Sequence, residues 1–591
     1  MALKRKPLDQ NPDFQRALAL HQGNQWDQAE ALYQQLLQRY PRHPQLLANL
    51  GALALQTGRL EQSITLLEQS LAAQPNQSVA NSNLAIALQY QGQSARALSH
   101  YDRAISLAPH NADAYANKAM LLLDLGRPEE AVESSDHALS LQPRHIGAWN
   151  NKGTALEALG RQAEARDCYE QVILLNPGHL LARNNKANTL LAEARYETAH
   201  QTLQEVLLLD PTFVDAHVNV GNCFLGMRRL EEAKVAFQTA LELDPGHVTA
   251  RTNLGMALGQ MGSLAPAIEL WNEALSRQPN YAPAIWCLAT ARLVRGEYAE
   301  GWPLFESRWL DPQKAARRHF TQPLWLGEPE SSLSGKTLLL HAEQGLGDTL
   351  QFCRYVPMVG RVGGRIILEV QPLLQEFLQQ QFSQLEVLAY GDPLPDFDLH
   401  CPLMSLPLAF RTELDSIPAD IPYLSARPER IAAWGERLGP RQRPRIGLVW
   451  SGNPAHKNDH NRSLRLSQLE TLLESPYDWH ILQKDIQPED EATLKRLPQL
   501  QDHRHDLTDF DATAGLLSHM DLLISVDTSV AHLAGSLGKP VWLLLPYMPD
   551  YRWLLDRPDS PWYPSFTLYR QPAIGDWASV LQQVQQQLPT L

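Results

Sequence analysis

The stretch that decides the fold of the second half of the chain is LLISVDTSVAH, residues 522–532, which continues as LAGSLGKPVWLLLP to residue 546. An apolar, β-prone run ends in Asp-Thr-Ser, a helical stretch of small residues follows, and Gly-Lys-Pro leads into a second apolar run. This order predicts a β-α-β unit. The start of its helix would face the crevice at the strand ends, where free backbone N–H groups and the helix dipole attract phosphate. Asp, Thr and Ser are also ordinary N-cap residues, so a buried crossover with a capped helix is the alternative.

Strands and helices alternate on the N-terminal side of this unit. The predicted strands lie at residues 337–341, 365–370, 445–450 and 479–485, and the predicted helices at 349–359, 372–381 and 429–438. Such alternation predicts parallel sheets. The basic, proline-bearing segment 439–445 divides the region, which is long enough for two compact Rossmann-like domains at 336–440 and 441–591.

Two glycine-containing stretches near the first predicted strand do not carry a known nucleotide motif. Gly345-Leu346-Gly347 is followed by Leu350, where a dinucleotide fingerprint needs a third glycine. Gly335-Lys336-Thr337 has Glu330 where a Walker A loop needs glycine, and it precedes a strand. The sequence therefore supports neither NAD binding nor ATP hydrolysis, and no cofactor is predicted.

A period of 34 residues fills the first half of the chain. Prolines recur at this spacing and each follows an apolar helical run, which a proline would end: Pro41, Pro75, Pro109, Pro143, Pro177, Pro211, Pro245 and Pro279. The pattern resembles the tetratricopeptide repeat, a helix-turn-helix unit of about 34 residues. We therefore predict an α-solenoid over residues 10–313, with units at 10–43, 44–77 and onward to 248–281, and an altered unit at 282–313.

One asparagine in the first helix of most units keeps the same period: Asn49, Asn83, Asn117, Asn151, Asn185, Asn219 and Asn253. Asparagine is unfavourable inside a helix because its amide competes with the backbone. A carboxamide both donates and accepts hydrogen bonds, so this asparagine ladder could hold the backbone of an extended peptide in the solenoid groove whatever its side chains. The alternative is that duplication has copied a residue common at this position of such repeats.

The altered unit ends in an aromatic-rich segment, residues 296–309, which includes Pro303. Repeat arrays need a polar cap or another domain over their last apolar face, so we interpret this unit as the joint to the second half. Residues 314–335 are rich in proline, glycine and serine and are predicted to be a linker.

Composition excludes several classes of protein. A net charge of -14 in 591 residues argues against nucleic acid as a partner, because such proteins normally carry a basic stripe. No run approaches the length of a transmembrane helix, and the N-terminus has no apolar signal region. The five cysteines form no CxxC pair, so neither a zinc site nor a disulfide framework is predicted. We therefore expect a cytoplasmic protein without a membrane span.

The second half resembles the GT-B glycosyltransferases of the heptosyltransferase family. The resemblance rests on Gly347-Asp348 after the first strand and on Asp527-Thr528-Ser529 with His532. A tetratricopeptide solenoid joined to such a domain is also similar in plan to the O-linked N-acetylglucosamine transferases. The resemblance implies a GT-B fold of two Rossmann-like domains, the first on the acceptor side and the second on the nucleotide-sugar side.

The same resemblance implies roles for individual residues. Asp348 would be the general base on the acceptor hydroxyl. Lys457, with Lys484 as a second positive charge, would stabilise the leaving diphosphate without a metal. The contacts to the nucleotide-sugar would come from Ser451, Gly452, Asn453, Lys457, Lys484, Asp527, Thr528, Ser529 and His532. The family usually has glycine at the position of Ser529.

Each of these residues also has a structural interpretation. Asp348 could simply cap the helix that follows it. His456 and Lys457 could belong to a solvated loop. The pairs at 396–398 and 509–511 imitate the DxD metal motif of the other glycosyltransferase fold, but a GT-B enzyme does not need it, so no metal is predicted.

These patterns lead to one hypothesis and two alternatives. The hypothesis is an inverting glycosyltransferase that transfers a sugar from a nucleotide-sugar to a hydroxyl of a polypeptide held by the solenoid. One alternative is a scaffold protein whose solenoid recruits partners and whose transferase-like half is inactive. The other is a transferase that acts on a glycan or lipid precursor, as the heptosyltransferases do.

Overall fold

The structure is a computed structural model that describes residues 8–310, 318, 320–327, 333–456 and 458–590. The chain divides into two compact units, Met1–Pro245 and Gly246–Leu591. Residues 314–317, 319 and 328–332 of the predicted linker lie outside the described residues.

The first unit consists of seven consecutive helix pairs. Their bounds are α1 Pro12–Gln22, α2 Trp26–Arg39, α3 Pro44–Gln56, α4 Leu60–Ala73, α5 Ser78–Tyr90, α6 Ser94–Leu107, α7 Ala112–Asp124, α8 Pro128–Leu141, α9 Ile146–Ala158, α10 Gln162–Leu175, α11 Leu180–Ala192, α12 Tyr196–Leu209, α13 Val214–Gly226 and α14 Leu230–Leu243. Each pair lies within one 34-residue unit of the sequence, and a periodic proline follows the end of each second helix. The predicted α-solenoid is confirmed.

Small residues let the two helices of a pair approach each other. In the last pair of the first unit, a Cβ added at Gly221 would lie 2.4 Å from the ring of Phe237, so only glycine fits there without a shift. Ala233 of the facing helix is completely buried. Gly221 and Ala233 are therefore contact positions of the paired helices.

The turn inside each pair uses a residue with positive φ. In four pairs of the first unit this residue is glycine, as at Gly160 with φ 73°, whereas Ala194 (φ 56°) and Arg228 (φ 62°) occupy the same position in two later pairs. The left-handed conformation costs a residue with a Cβ about 1–2 kcal/mol. These two turns therefore carry strain that the glycine turns avoid.

The second unit begins with two further helix pairs, followed by ten strands and eleven helices among the described residues. The helix pairs are α15 Val248–Gln260 with α16 Leu264–Arg277, and α17 Ala282–Val294 with α18 Tyr298–Phe305. The strands are β1 Thr337–His341, β2 Arg365–Val370, β3 Glu386–Ala389, β4 Leu399–Pro402, β5 Arg445–Val449, β6 Asp478–Ile481, β7 Leu500–Asp502, β8 Leu522–Val526, β9 Val541–Leu545 and β10 Phe566–Arg570. The helices are α19 Leu346–Phe352, α20 Val356–Val362, α21 Pro372–Gln381, α22 Leu406–Ala409, α23 Pro428–Leu438, α24 Asp459–Arg462, α25 Glu470–Leu473, α26 Pro488–Leu494, α27 Phe510–Ser518, α28 Ser529–Ser536 and α29 Trp577–Gln587.

The strands form two sheets in which every paired strand is parallel. The first sheet has the order β3-β2-β1-β4 and the second the order β10-β9-β8-β5-β6-β7. The second order matches the doubly wound dinucleotide-binding arrangement, with its first strand, β5, at the centre. The predicted parallel α/β architecture of this half is confirmed.

One predicted helix is interrupted. The sequence pattern predicts a continuous helix over residues 349–359, but α19 ends at Phe352 and a 3-10 turn, Cys353–Tyr355, precedes α20. Pro357 lies in the first turn of α20. A proline lacks the backbone N–H and clashes with the carbonyl four residues earlier, so the first helix cannot continue through it.

The last helix pair shares a hydrophobic core with both sheets. Tyr298, Trp302 and Phe305 are almost completely buried and belong to the same cluster as Leu340 of the first sheet and Leu543 of the second. The indole N–H of Trp302 donates to the backbone oxygen of Thr412 over 3.2 Å. The altered repeat unit therefore packs into the α/β region, as expected of a joint.

The strained turns generate a prediction about the stability of the repeats. We expect Ala194→Gly to raise the free energy of unfolding by about 0.5 kcal/mol, because relief of about 1–2 kcal/mol of strain exceeds the extra chain entropy of glycine, about 0.5–1 kcal/mol. The matched change Gly160→Ala should lower it by a similar amount, since nothing lies within 4 Å of a Cβ there and only the backbone conformation opposes it. Urea unfolding of both variants checks the sign, and a lowered midpoint for Ala194→Gly would contradict the expectation.

Candidate functional site

Three loops that carry predicted site residues follow central strands of the two sheets. Strand β1 leads into the loop that carries Gly347 and Asp348, β5 leads into Ser451 to Asn453, and β8 leads into Asp527 and Thr528. In open parallel sheets, ligands bind outside the carboxyl ends where the strand order reverses. That reversal occurs between β1 and β4 in the first sheet and between β5 and β8 in the second.

The start of α28 lacks the side-chain cap that the alternative interpretation requires. Thr528 is the N-cap residue, with an extended backbone, but its side chain makes no capping hydrogen bond. Its hydroxyl instead lies 3.3 Å from Ser525 Oγ, at the end of β8. The first backbone N–H groups of α28 are therefore not satisfied by this residue, which leaves them able to bind an anion.

His532, one turn into α28, is fixed on two sides. Its Nδ1 lies 2.9 Å from the hydroxyl of Tyr563, and its ring stacks on Trp553 at 5.5 Å. Its Nε2 lies 3.6 Å from Oδ1 of Asp527. Burial alone would raise the pKa of Asp527, but the attraction of His532 and of Arg552 outweighs burial and lowers it below the ordinary value. Asp527 is therefore a carboxylate at neutral pH.

Arg552 is a residue that sequence analysis missed. It lies after β9, is only 7% exposed, and forms ion pairs with Asp348 and with Asp550, the latter at 2.8 Å. Its Nε donates to Oε1 of Gln351 over 2.5 Å. Arg552 belongs to no sequence motif, and its neighbours in the sequence are aromatic residues typical of core packing. Only the tertiary structure therefore reveals that it lies between loops of the two sheets.

Asp348 occupies the first turn of α19 and is engaged on both oxygens. Oδ2 accepts the backbone N–H of Gly345 over 2.7 Å, and Oδ1 pairs with Arg552. The capping role that the sequence allowed is therefore present. It does not exclude a role as base, because each carboxylate oxygen has a second lone pair.

Gly347 brings the first turns of α19 and α28 into contact. A Cβ at this position would lie 2.8 Å from Cδ2 of His532 and 3.6 Å from Cα of Ser529. The two helices follow the central strands of different sheets. Gly347 therefore permits the close approach that places Asp348, Asp527 and His532 in one region.

The loop after β5 folds back on itself beside a cavity. Ser451, 7% exposed, lines a cavity of about 480 Å³ with His456, Asp459 and Arg465. A Cβ at Gly452 would lie 2.6 Å from Oδ1 of Asp459, so the glycine permits this fold. The volume of this cavity is suited to a nucleotide-sized ligand, and its polar lining residues can form hydrogen bonds to one.

Arg462 connects this loop to the start of α28. Its Nη1 donates to the backbone oxygen of Asp527 over 3.0 Å, and its Nε pairs with Asp459 at 3.2 Å. Its side chain is only 18% exposed, so it is not a solvated part of this loop. Arg462 and Arg552 are thus two cations beside Asp527.

Of the two predicted lysines, the structure describes only Lys484. Lys457 lies outside the described residues. Lys484 is exposed, whereas its neighbour Gln483 is buried and accepts the backbone N–H groups of Trp450 and Ser451, each over 3.0 Å. The structure therefore gives Gln483 a place in the β5 loop and does not bring Lys484 to it. Asn453 is exposed, and its side chain accepts from Ala455 N.

The asparagine ladder is used partly within the repeats. Asn151 Nδ2 donates to the backbone oxygen of Ala116 over 3.0 Å, and Asn219 Nδ2 donates to Asn184 Oδ1 over 2.9 Å. Both bonds join neighbouring pairs. They provide a structural reason for asparagine at these two positions.

Two other members of the ladder are not used in this way. Asn83 and Asn117 are half-buried and make no side-chain hydrogen bond within the described part of the chain. The side chain of Asn49 interacts with the hydroxyl of Tyr33. Asn185 is half-buried, and Asn253, which belongs to the second unit, is buried.

The two DxD-like pairs have structural partners. Asp398 accepts Thr337 N over 2.7 Å, Asp509 caps α27 through Ala512 N over 2.7 Å, and Asp511 pairs with Arg427. Over residues 8–310, 318, 320–327, 333–456 and 458–590, no group of three or more His, Cys, Asp or Glu side chains could hold a metal ion. No helix in these ranges has the length and apolar character needed to cross a membrane.

Comparison with known families decides the nature of the first half. Models described as tetratricopeptide repeat match residues 19–85, 82–144, 147–179, 190–250 and 224–293. The chain contains tetratricopeptide repeats. These repeats generally mediate protein–protein interactions, in agreement with an expected protein partner. In the second unit, the tetratricopeptide matches cover α15, α16 and α17 up to residue 293, and they do not cover α18.

The repeat-containing chain is similar to a curated protein, Protein FlbA of Caulobacter vibrioides. The two are 28% identical over 324 residues, which cover 50% of this chain and 53% of FlbA. The chain therefore spans about half the length of this curated relative.

Two solved structures are also similar to the tetratricopeptide-containing chain. A tetratricopeptide repeat protein from Parabacteroides merdae ATCC 43184 is 16% identical, with a TM-score of 0.35 and coverage of 42% of this chain and 97% of that one. MamA from Desulfovibrio magneticus RS-1 is 25% identical, with a TM-score of 0.26 and coverage of 29% and 96%.

The contact at Gly347 generates a prediction. We expect Gly347→Ala to lower the free energy of unfolding by about 1–3 kcal/mol, because the methyl group would press on a His532 ring that Tyr563 and Trp553 hold in place. The matched control is Gly360→Ala in α20, where a Cβ meets only Ile366 Cδ1 at 4.0 Å. Helix propensity should make that change stabilising, by up to about 1 kcal/mol. Urea unfolding measures both, and equal behaviour of the two variants would refute the close contact.

Proposed function

We propose that the chain is an inverting glycosyltransferase of the GT-B fold. It takes a sugar from a nucleotide-sugar and transfers it to a hydroxyl of a polypeptide held by the tetratricopeptide repeats, and we expect it to act in the cytoplasm. The observation that carries the proposal is the meeting of the two strand-end loops at Gly347 and His532, where Asp348 and Asp527 both face Arg552.

The donor would bind at the second sheet. The start of α28, with no side-chain cap from Thr528, is suited to the diphosphate, and the cavity beside Ser451 is suited to the nucleoside. Arg462 and Arg552 supply positive charge nearby, although each is already paired with protein groups. Lys457 is the further cation that the family resemblance provides.

The reaction follows from these positions. Asp348 accepts the proton of the acceptor hydroxyl while the hydroxyl oxygen forms a bond to the anomeric carbon of the donor sugar. The bond from that carbon to the diphosphate breaks on the opposite face. The diphosphate leaves with the electron pair and is stabilised by the N–H groups of α28 and the neighbouring cations. Arg552 positions Asp348 for this step.

A scaffold with an inactive transferase-like half is the second candidate. The observation that favours it is that both oxygens of Asp348 are already engaged, by Gly345 N–H and by Arg552. In that case the carboxylate only caps α19 and ties it to the loop after β9. The repeats would still capture protein partners, but no sugar would be transferred.

Nucleotide binding and transfer are predicted to respond differently to two substitutions. We expect one of UDP, GDP, ADP and CMP to stabilise the full chain by about 2.7 kcal/mol at 100 times its dissociation constant. Lys457→Ala should weaken that shift. Asp348→Asn should leave it intact but lower transfer by a factor of about 10²–10⁴, since the amide keeps the cap and loses the base.

Thermal shift and transfer of labelled sugar measure these two effects. Asp415→Asn, an exposed carboxylate elsewhere in the second unit, is the matched control and should change neither. Full transfer by Asp348→Asn would remove this residue from the mechanism. A folded chain that responds to no nucleotide would favour the scaffold.

The acceptor side generates a separate prediction. The double variant Asn83→Ala with Asn117→Ala should raise KM for a polypeptide acceptor about tenfold, since each lost hydrogen bond costs about 0.5–1.5 kcal/mol. Its unfolding midpoint should not fall, because neither side chain bonds within the described chain and alanine has the higher helix propensity. The control is Asn272→Ala, an exposed helical asparagine outside the ladder.

The acceptor experiment also separates a peptide from a glycan or lipid precursor. Deletion of residues 1–245, the first compact unit, should abolish transfer to polypeptide. Transfer that survives this deletion and the double variant would identify an acceptor that the repeats do not hold. Residues from Gly246 onward must be kept, because α17 and α18 are part of the core of the sheets.

A further inference from the structure

A buried arginine links the end of the last repeat to the loop between β1 and α19. Arg308 follows α18 and is completely buried, and its Nη2 lies 3.0 Å from Oε1 of Glu343, whose side chain is 4% exposed. Its Nε donates to both carboxylate oxygens of Glu343, over 3.1 and 3.2 Å. The loop that carries Asp348 is therefore attached to the end of the repeats through this ion pair.

The same guanidinium serves a second carboxylate. Its Nη1 donates to Oε1 of Glu306 over 2.6 Å, and its Nη2 donates to Ser405 Oγ over 2.6 Å. The hydroxyl of Ser405 donates to Glu306 in turn. We call Glu306, Arg308, Glu343 and Ser405 the Arg308 cluster. With both carboxylates ionised, this cluster carries one net negative charge in a buried position, which is unfavourable.

A proton on Glu343 removes this excess charge. Burial raises the pKa of Glu343 to about 7, although the guanidinium of Arg308 acts in the opposite direction. The charges of Glu306 and Asp348 add to the rise. Glu343 therefore gains and loses its proton near neutral pH.

Other ionisable side chains surround Glu343. Burial lowers the pKa of His341 to about 3 and raises the pKa of the Cys401 thiol well above its ordinary range, so both are neutral at pH 7. Arg318 and Glu369 line the same cavity as Glu343 and pair with each other. We therefore assign a change of charge near pH 7 at this end of β1 to Glu343.

The conformation of the loop determines where Asp348 lies. The backbone oxygen of Gln344 accepts from Gln371 Nε2 over 2.7 Å. The next residue, Gly345, donates its backbone N–H to Oδ2 of Asp348 over 2.7 Å. Glu343 lies two residues before this N–H, so a change in the contacts of Glu343 displaces the group that holds Asp348.

We propose that Glu343 is a positioning residue for Asp348 and that it holds the loop against Arg308 only in its ionised form. A protonated carboxyl has one oxygen that donates, so it cannot accept all of the guanidinium contacts that the carboxylate accepts. Sugar transfer therefore decreases as the pH falls through neutrality. The inference rests on the proposed function of Asp348, whereas the change within the Arg308 cluster does not.

Trp309 reports the charge of the cluster. Its indole N–H donates to Oε2 of Glu306 over 3.1 Å, and its ring lies 4.6 Å from the guanidinium of Arg308. In NMR spectra of the full chain with isotope-labelled tryptophan, the Trp309 indole resonance is assigned with Trp309→Phe. It should shift with a midpoint between about pH 6 and 8, and Glu343→Gln should abolish that titration.

Two further variants separate Glu343 from its surroundings. Glu386→Gln removes the carboxylate of an exposed ion pair with Arg365 in the same sheet, so it is the matched control and should keep the titration. Glu306→Gln should move the midpoint to lower pH, because it removes a charge that raises the pKa of Glu343. This second variant decides the question if Glu343→Gln fails to fold.

Transfer of labelled sugar measures the positioning role. At about pH 8, Glu343→Gln should lower kcat about tenfold with little change in KM for the nucleotide-sugar, since misplacement of a reacting group by about 1 Å can cost about 100-fold. The variant should also show a shallower decrease in kcat between about pH 8 and 6 than the wild type. A merely structural loss would lower kcat equally at every pH.

Each outcome decides the proposal. A titration that Glu343→Gln abolishes and Glu386→Gln retains, together with the lowered kcat, supports it. No titration of Trp309, the same titration in a folded Glu343→Gln variant, or an unchanged kcat in that variant overturns it. A chain that titrates at Trp309 but transfers no sugar rejects the transferase proposal and keeps the link between Glu343 and Arg308. A chain that transfers sugar without this titration does the opposite.

Discussion

The packing of Trp302 and Tyr298 into one core with both sheets is the constraint on which the second unit depends. Trp302 contacts the rings of Tyr551 and Trp562 edge to face, and the indole of Trp562 donates to the Tyr298 hydroxyl over 3.1 Å. Large aromatic side chains bury the most apolar area per residue, and their polar atoms need partners when buried. The final helix pair therefore serves two sheets at once, and neither sheet can be separated from it without exposing this core.

The same core holds the loops that form the candidate site. Tyr551 directly precedes Arg552, so the aromatic packing of the one fixes the guanidinium of the other beside Asp348. Arg354, which follows α19 of the first sheet, is held by the same aromatic core. It donates to the backbone oxygen of Trp562 over 2.7 Å and lies against the rings of Trp562 and Tyr563. Buried charges are costly unless they are paired and hydrogen-bonded, so these arginines define one arrangement of the two sheets. The geometry of Asp348 is thus a consequence of packing outside the site.

The repeats and the sheets differ in how far local sequence specifies them. A helix pair is defined within 34 residues by a small-residue contact, a turn with positive φ and a terminal proline, and each of these is visible in the chain order. The α/β region joins residues that are far apart, as in the ion pair of Arg552 with Asp348, 204 positions away. Even there, the position of a strand end is predictable, since apolar runs bounded by polar residues identify it. The residues from other strands that contact that strand end cannot be predicted in this way.

The sequence by itself determined the tetratricopeptide repeats, the parallel α/β character of the second half and the position of candidate site residues at strand ends. These features depend on periodicity and on local turn chemistry. Only the tertiary structure decided that Gly347 touches His532, that Gln483 rather than Lys484 enters the β5 loop, and that Arg552 pairs with Asp348. The physical reason is that hydrogen bonding and charge pairing depend on distance in space. The sheet topology brings together residues that are far apart in the sequence, and no local sequence pattern identifies such partners.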